Sequence, residues 1–207
     1  TNLGNSNISG SKVNGSFEII KTHSYVEVFV DSINHGEDLE VYIYVVNVTV
    51  VNVMIKNGAG DIVYNENVTS SPITVSDLPS GKYTVTVTNY GTENVIGNSS
   101  SQEFYVYKLN STVTLNNISD IYYEDDVLID FDVNNMTIVN VLIQNQDGMV
   151  VYNRNVTVNI LLIPSFDVGN YTVTVTNLET FNISQSTDSK SFKILKKIVN
   201  ITLHNLL

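Results

Sequence analysis

Sliding the sequence over itself by 88 residues lays 47–69 on 135–157 without a gap, and 14 of those 23 positions are identical. Asn47-Val-Thr-Val-Val-Asn-Val-Met-Ile-Lys-Asn57 then lies over Asn135-Met-Thr-Ile-Val-Asn-Val-Leu-Ile-Gln-Asn145. The same shift puts Tyr83-Thr-Val-Thr-Val-Thr-Asn89 on an identical Tyr171–Asn177, and Phe104-Tyr-Val-Tyr-Lys108 on Phe192-Lys-Ile-Leu-Lys196. A repeat of this kind constrains the fold more than composition does. Each copy must be able to form a structural unit, and both copies must form the same one.

The ends carry partial copies. Phe17-Glu-Ile-Ile-Lys21 repeats the Phe-x-Val/Ile-x-Lys pattern, Asn7-Ile8-Ser9 matches Asn182-Ile183-Ser184, and Ile201-Thr-Leu203 matches Val113-Thr-Leu115. Four segments are expected: 1–21, the tail and last strand of a preceding repeat; 22–108 and 109–196, two full repeats; and 197–207, the first strand of a following one. The chain reads as a fragment of a longer tandem array.

Within a repeat the apolar residues alternate. Leu39, Val41, Ile43 and Val45 in one copy, and Val127, Ile129, Phe131 and Val133 in the other, have the period of a half-buried strand. The pattern predicts an opening strand at 25–30 or 112–116, then 48–56 and 136–144, 61–65 and 149–153, 72–76 and 158–163, 82–89 and 170–177, and 102–107 and 190–195. Asn57-Gly58, Gly60-Asp61, Pro79-Ser-Gly81 and Asp147-Gly148 are turn signals between them. Seven short strands in about 90 residues suit an immunoglobulin-like sandwich. The fold class is therefore all-β, with two tandem sandwich domains. Composition agrees: 31 Val, 19 Thr and 12 Tyr favour strands, and only 3 Pro interrupt them.

One local pattern sharpens this. Leu78-Pro-Ser-Gly81-Lys-Tyr83-Thr-Val85 and Phe166-Asp-Val-Gly169-Asn-Tyr171-Thr-Val173 share apolar-x-x-Gly-x-Tyr-x-Val. In immunoglobulin domains a corner tyrosine sits two residues before the second core cysteine. Tyr83 and Tyr171 take that place, and Val85 and Val173 stand where the cysteine would be.

At this point the chain resembles the adhesin-like surface proteins of methanogenic archaea, built from tandem bacterial immunoglobulin-like repeats. The residues that carry the resemblance are Asn-Val-Thr-Val at 47–50, Leu78-Pro-Ser-Gly-Lys-Tyr-Thr-Val-Thr-Val87, and Phe-x-Val-x-Lys at 104–108 with its copy at 192–196. The resemblance implies a surface-exposed, non-catalytic stalk or adhesion module.

Several chemistries are excluded or weighed on the residues themselves. With no Cys there is no disulfide, thiolate nucleophile or zinc–thiolate site. A net charge of −11 repels phosphate backbones, so no nucleic acid is expected, and no apolar run is long enough to insert in a membrane. No hydrolase elbow, phosphate loop or His-Glu-x-x-His appears, and His23, His35 and His204 align with Asn110, Tyr123 and Asn116, so the chain is not expected to be an enzyme. The run Asp120, Glu124, Asp125, Asp126, Asp130 and Asp132 invites calcium, but without the spacing of an EF-hand loop. A solvated turn is the preferred reading, and calcium is the only cofactor considered. Lys21, Lys108 and Lys196 recur at strand ends, where a lysine–asparagine isopeptide bond is one reading, but no inward carboxylate recurs to promote it. The cluster Lys190, Lys193, Lys196 and Lys197 reads as protection of a sheet edge.

Asn-x-Ser/Thr sequons stand at Asn7, Asn14, Asn47, Asn67, Asn98, Asn110, Asn117, Asn135, Asn155, Asn170, Asn182 and Asn200. Two readings stay open: glycans that coat the surface, and sequons arising by chance in a chain with 28 Asn. The functional expectation is an extracellular stalk or adhesion module at the cell surface, with Tyr42 and Tyr44 as the nameable adhesive side chains. Its partners would be a surface component of a host or neighbouring cell, protein or glycan, and other repeats of the same chain. A filament subunit joined by strand exchange and a carbohydrate-binding accessory domain are the alternatives.

Overall fold

The computed structural model describes residues 1–198. Residues 199–207, with Asn200 and most of the expected segment 197–207, lie outside the described residues.

In the first half, β1 (Thr22–His23), β2 (Tyr25–Val30), β3 (Ile33–Asn34), β4 (Leu39–Val46), β5 (Val51–Asn57), β6 (Ile62–Val68), β7 (Ile73–Val75), β8 (Gly81–Asn89), β9 (Val95–Ile96) and β10 (Asn98–Tyr107) form two main sheets. Their orders are β2-β4-β7 and β3-β10-β8-β5-β6, with β1 and β9 as a small parallel pair. In the second half, β11 (Thr112–Leu115), β12 (Ile121–Tyr122), β13 (Val127–Asn134), β14 (Val139–Asn145), β15 (Val150–Val156), β16 (Ile160–Ile163), β17 (Gly169–Asn177) and β18 (Ser186–Leu195) give the orders β11-β13-β16 and β12-β18-β17-β14-β15. Strand for strand the two orders are the same, and each half is an immunoglobulin-like sandwich.

The alternation read from sequence is the burial observed. In β13, Val127, Ile129 and Phe131 are fully buried while Leu128 and Asp132 face water. With Val139, Val141, Ile143, Val173, Val175 and Phe192 they make one aliphatic core with aromatic ends. Each such side chain contributes about 1.5–3 kcal/mol on burial. Val85 and Val173, at the cysteine positions, are fully buried, so packing fills the space a disulfide would span.

Three features depart from the expected strands. β5 and β14 begin at Val51 and Val139 rather than at 48 and 136. Asn47 and Asn135 sit at φ of 58° and 52°, a left-handed conformation that ends an extended run and that Asn tolerates. Second, each opening strand breaks and crosses over, so that β3 and β12 pair parallel with the last strand. A side chain from that last strand serves the backbone released at the break. Gln102 accepts from the Val30 amide at 3.1 Å and donates to its carbonyl at 2.8 Å, and Asp188 accepts from Leu115 at 2.9 Å. Third, Lys196 and Lys197 lie past the end of β18 at Leu195, whereas Lys190 and Lys193 lie where β18 has a strand partner on its β17 side alone among the described residues, since β12 pairs only with Ile194 and Leu195.

The first 21 residues behave differently from the expected last strand. Phe17–Lys21 is not in a strand, and Phe17 and Ile19 are 88% and 83% exposed, against 1% and 2% for Phe104 and Phe192. No strand lies beside it among the described residues to take its backbone groups. Residues 2–11 nevertheless fold into a copy of the turn that joins β8 to β10. The Gly4 amide reaches Asn2 Oδ1 at 3.0 Å as Gly91 reaches Asn89 Oδ1 at 3.0 Å. The Asn5 amide reaches the Ile8 carbonyl at 2.8 Å as Thr92 reaches Val95 at 2.9 Å.

Candidate functional site

The turn 47–50, which follows β4, and the turn 90–94, which follows β8, flank a cleft in the first half. The cleft is about 470 Å³ and is lined by Asn47–Asn52, Asn67, Thr88–Thr92 and Val95. Tyr90 stands at its lip, 79% exposed. None of the lining residues carries a charge.

The second half shows how the same end looks when closed. There Asn177 is fully buried and its amide is used at both ends. Oδ1 accepts from the Thr137 amide at 2.9 Å and hydroxyl at 3.0 Å, and Nδ2 donates to the Asn135 carbonyl at 3.1 Å. The Thr137 hydroxyl also bonds the Leu178 carbonyl at 2.7 Å, and the Leu178 amide bonds Ile138 at 2.9 Å. These bonds latch the two turns together.

In the first half the equivalent Asn89 turns its Oδ1 onto the Gly91 amide in an Asx turn. Gly91 holds φ of 80°, and an added Cβ would lie 2.8 Å from both the Gly97 amide nitrogen and the Val95 carbonyl oxygen. Glycine is required there twice over, for dihedral and for space. The second half has Glu179 at this place and no such turn. The latch and the open cleft go with a local difference in sequence, Asn-Tyr-Gly against Asn-Leu-Glu, in turns that also differ at Val48/Met136, Val50/Ile138 and Gly97/Gln185. Sequence reasoning missed the cleft, although Asn89-Tyr90-Gly91 was the signal.

The sequence-predicted residues do not come together in one place. Tyr83 and Tyr171 are 3% and 5% exposed, and each hydroxyl donates at 2.7 Å to a carbonyl four residues upstream, Pro79 or Asp167. Their rings stack on Phe104 and Phe192, which leaves no face for a ligand. Burial pushes both phenol pKa values up, and the Asp167 charge adds to this at Tyr171.

Tyr42 and Tyr44 lie on the solvent face of β4 beside Tyr25 and Phe29 of β2, all four about half exposed. Tyr25 and Tyr44 meet edge to face at 6.0 Å, Tyr25 donates to Glu27 at 3.0 Å and Tyr42 donates to Glu40. The hydrogen bond to the Glu27 carboxylate is the main cause that raises the Tyr25 pKa. In the second half Asp130 and Asp132 stand in place of Tyr42 and Tyr44, and the same face carries the exposed Leu128, Ile160 and Leu162.

The acidic run serves local partners: Asp120 accepts from the Lys193 amide at 2.9 Å, Asp130 from Asn116 at 3.0 Å, and Glu124 and Asp125 flank Lys197 at 3.6 and 3.8 Å. Among the described residues no three His, Asp or Glu side chains stand together as a metal site. The recurring lysines meet carbonyls rather than asparagine side chains. Lys21 Nζ donates to Thr92 at 3.1 Å, and Lys108 Nζ to the equivalent Thr180 at 2.9 Å and to Glu179 at 2.6 Å.

Of the sequon asparagines, 7, 14, 47, 67, 98, 110, 117, 155 and 170 are exposed, and Asn135 and Asn182 are half-buried. Asn47 and Asn135 have a structural use as well: each Nδ2 donates to a carbonyl just ahead of the opening strand, His23 at 3.0 Å or Asn110 at 2.9 Å. Asn67 and Asn155 accept from Asn52 and Asn140 at 3.1 and 2.9 Å across the sheet, which leaves each Nδ2 toward solvent.

No protein-family model matches the chain, and no curated protein matches it. Among solved structures it is similar to the fibronectin(III)-like modules of Clostridium thermocellum CbhA, at 16% identity over 88% of this chain and 100% of that one, with a TM-score of 0.36. It is also similar to a two-domain fibronectin type-III segment from chicken tenascin, at 13% identity over 80% and 97% of the two chains and a TM-score of 0.41. A third is the three N-terminal domains of the outer capsid protein Hoc of bacteriophage RB49, at 12% identity, 84% and 71% coverage and a TM-score of 0.34. At these values the fold assignment rests on the sheet orders and registers given above.

Proposed function

We propose that the chain is a non-catalytic stalk or adhesion segment of an extracellular, cell-surface protein, of the kind found in archaeal adhesins. The observation that carries this reading is the way each sandwich is entered. Thr22 and Leu109 donate to the carbonyls of Asn94 and Asn182, and Lys21 and Lys108 donate to Thr92 and Thr180. Each entering segment is thus pinned on the β8–β10 or β17–β18 turn of the sandwich it leads into, without a disulfide. A chain anchored in this way at every module works as a spacer. In this reading 1–21 is the end of a preceding module, supported by its copy of the turn, 22–108 and 109–196 are two modules, and 197–207 opens a following one. The partners are a surface component of another cell and further modules of the same array, and several of the exposed sequons away from Asn47 and Asn67 carry glycans in the native host.

Antibody against this chain, applied to intact native cells, tests the placement. The expected result is the same labelling before and after permeabilisation, with a glycan-sized mass excess on native protein. Labelling that requires permeabilisation would overturn it. A second reading, a filament subunit joined by strand exchange, is favoured by the bare Phe17–Lys21 segment, since an unpaired strand seeks an open sheet edge. A concentration-dependent ladder in light scattering is its signature, and a strict monomer would remove it.

A further inference from the structure

We propose that the cleft between turns 47–50 and 90–94 of the first half is a binding site for the end of a neutral saccharide. This goes beyond the spacer reading and holds wherever the protein resides.

The cleft is open by construction. The Asx turn at Asn89–Gly91 withdraws the amide that latches the corresponding turns of the second half. Its volume of about 470 Å³ lies in the range of small-ligand sites. Its chemistry narrows the ligand. The lining offers an ionic ligand no opposite charge, and the ammonium beside it, Lys21, is already held on the Thr92 carbonyl. An apolar ligand would bury amides unpaired, at a cost of about 1–3 kcal/mol each.

A polyhydroxyl ligand meets both conditions. Asn67 Nδ2 and Asn89 Nδ2 are donors, Asn47 Oδ1 is an acceptor, and the Thr49 and Thr88 hydroxyls are both. None of these five atoms has a hydrogen-bond partner among the described residues. Sugar hydroxyls also donate and accept, and a pyranose ring has an apolar face of C–H groups. The Tyr90 ring at the lip supplies the flat surface for that face, with its hydroxyl left in water.

The test uses the full 207-residue chain made in a bacterium, so that Asn47 and Asn67 carry no sugar, labelled with 15N and titrated with neutral and acidic oligosaccharides. The neutral set holds glucose, mannose, galactose and N-acetylglucosamine oligomers, and the acidic set sialylated and sulfated ones. The expected result is saturable amide shifts with at least one neutral sugar, confined to 47–52, 67 and 88–95 and absent from 135–140 and 176–183. Tyr90→Ala lowers the affinity about ten-fold, Tyr90→Phe retains it, and Phe181→Ala in the second half changes nothing. Tyr90 is exposed, so an unchanged spectrum elsewhere verifies that the variants fold. The proposal is overturned by no saturation with any neutral sugar up to about 10 mM. Binding of acidic sugars alone, equal shifts in both halves, or full affinity in Tyr90→Ala would also overturn it.

Discussion

Asp188 shows what single side chains do at the seams of this fold. The Leu115 amide, 2.9 Å away, holds its carboxyl below the ordinary carboxylate range; partial burial opposes this, and the Ser189 amide and Lys190 charge reinforce it. A carboxylate depressed in the fold contributes stability that is present above its unfolded value, near about 3.9, and lost as pH falls through the folded one. The second half is therefore expected to weaken below about pH 4. Asp188→Asn should be less stable at neutral pH and show a flatter acid limb. Urea midpoints of second-half amides at pH 7, 4 and 3 check this, and an unchanged acid slope in the variant would count against it. The corner tyrosines act at the other end of the sandwich. Tyr171→Phe keeps the stack on Phe192 and removes the bond to Asp167, so a loss of about 0.5–1.5 kcal/mol is expected in the same urea measurement.

At the level of turns and strands, Gly91 is one of the places where two related loops part, with Tyr90/Leu178, Glu93/Phe181 and Gly97/Gln185. Gly91→Ala must place a Cβ against backbone on both sides while holding a left-handed φ, whereas Gly60, at φ of 92°, has open space around its Cβ direction. Gly60→Ala should then cost about 1–2 kcal/mol. Gly91→Ala should cost more, about 3 kcal/mol, or else relax the turn toward the latched form. First-half amide signals followed through urea unfolding separate these, and equal costs for the two variants would refute the steric account. The same contrast marks how far the sequence was legible. Val127, Ile129 and Phe131 could be assigned inward because alternation is a local property with a period of two. The late starts of β5 and β14 were less legible, because 48–50 and 136–138 continue the mostly β-branched run and the turn ahead of them shows only in the φ of Asn47 and Asn135. The two-residue crossovers β3 and β12 are too short to carry a periodic signal. The cleft was the hardest feature to read, because it depends on which of two partners Asn89 chooses, and only the step Asn89-Tyr90-Gly91 against Asn177-Leu178-Glu179 marks that choice.

For the molecule as a whole, the segment ahead of the first sandwich is the point where stability and association come apart. Every residue from Thr1 to Ile20 is exposed except half-buried Gly4, and Val13, Phe17, Ile19 and Ile20 each exceed 79% exposure. Side chains that remove so little area from water add little to the folded state. The turn at 2–11 closes on its own hydrogen bonds. Deleting residues 1–20 leaves Lys21 with its bond to Thr92 and β1 with its pairing to β9. The unfolding midpoints of both halves should then stay within about 0.5 kcal/mol of the parent. What the deletion removes is an unpaired run whose alternate residues, Phe17 and Ile19, match those buried in β10 and β18. It is the part of the surface best suited to enter the sheet of another copy. Light scattering of the two chains over a concentration series separates the roles. Equal midpoints with weaker self-association in the truncated chain fit a segment that is no part of the first sandwich and pairs with another copy. A truncated chain whose first half no longer unfolds cooperatively would mean that the segment belongs to that sandwich after all.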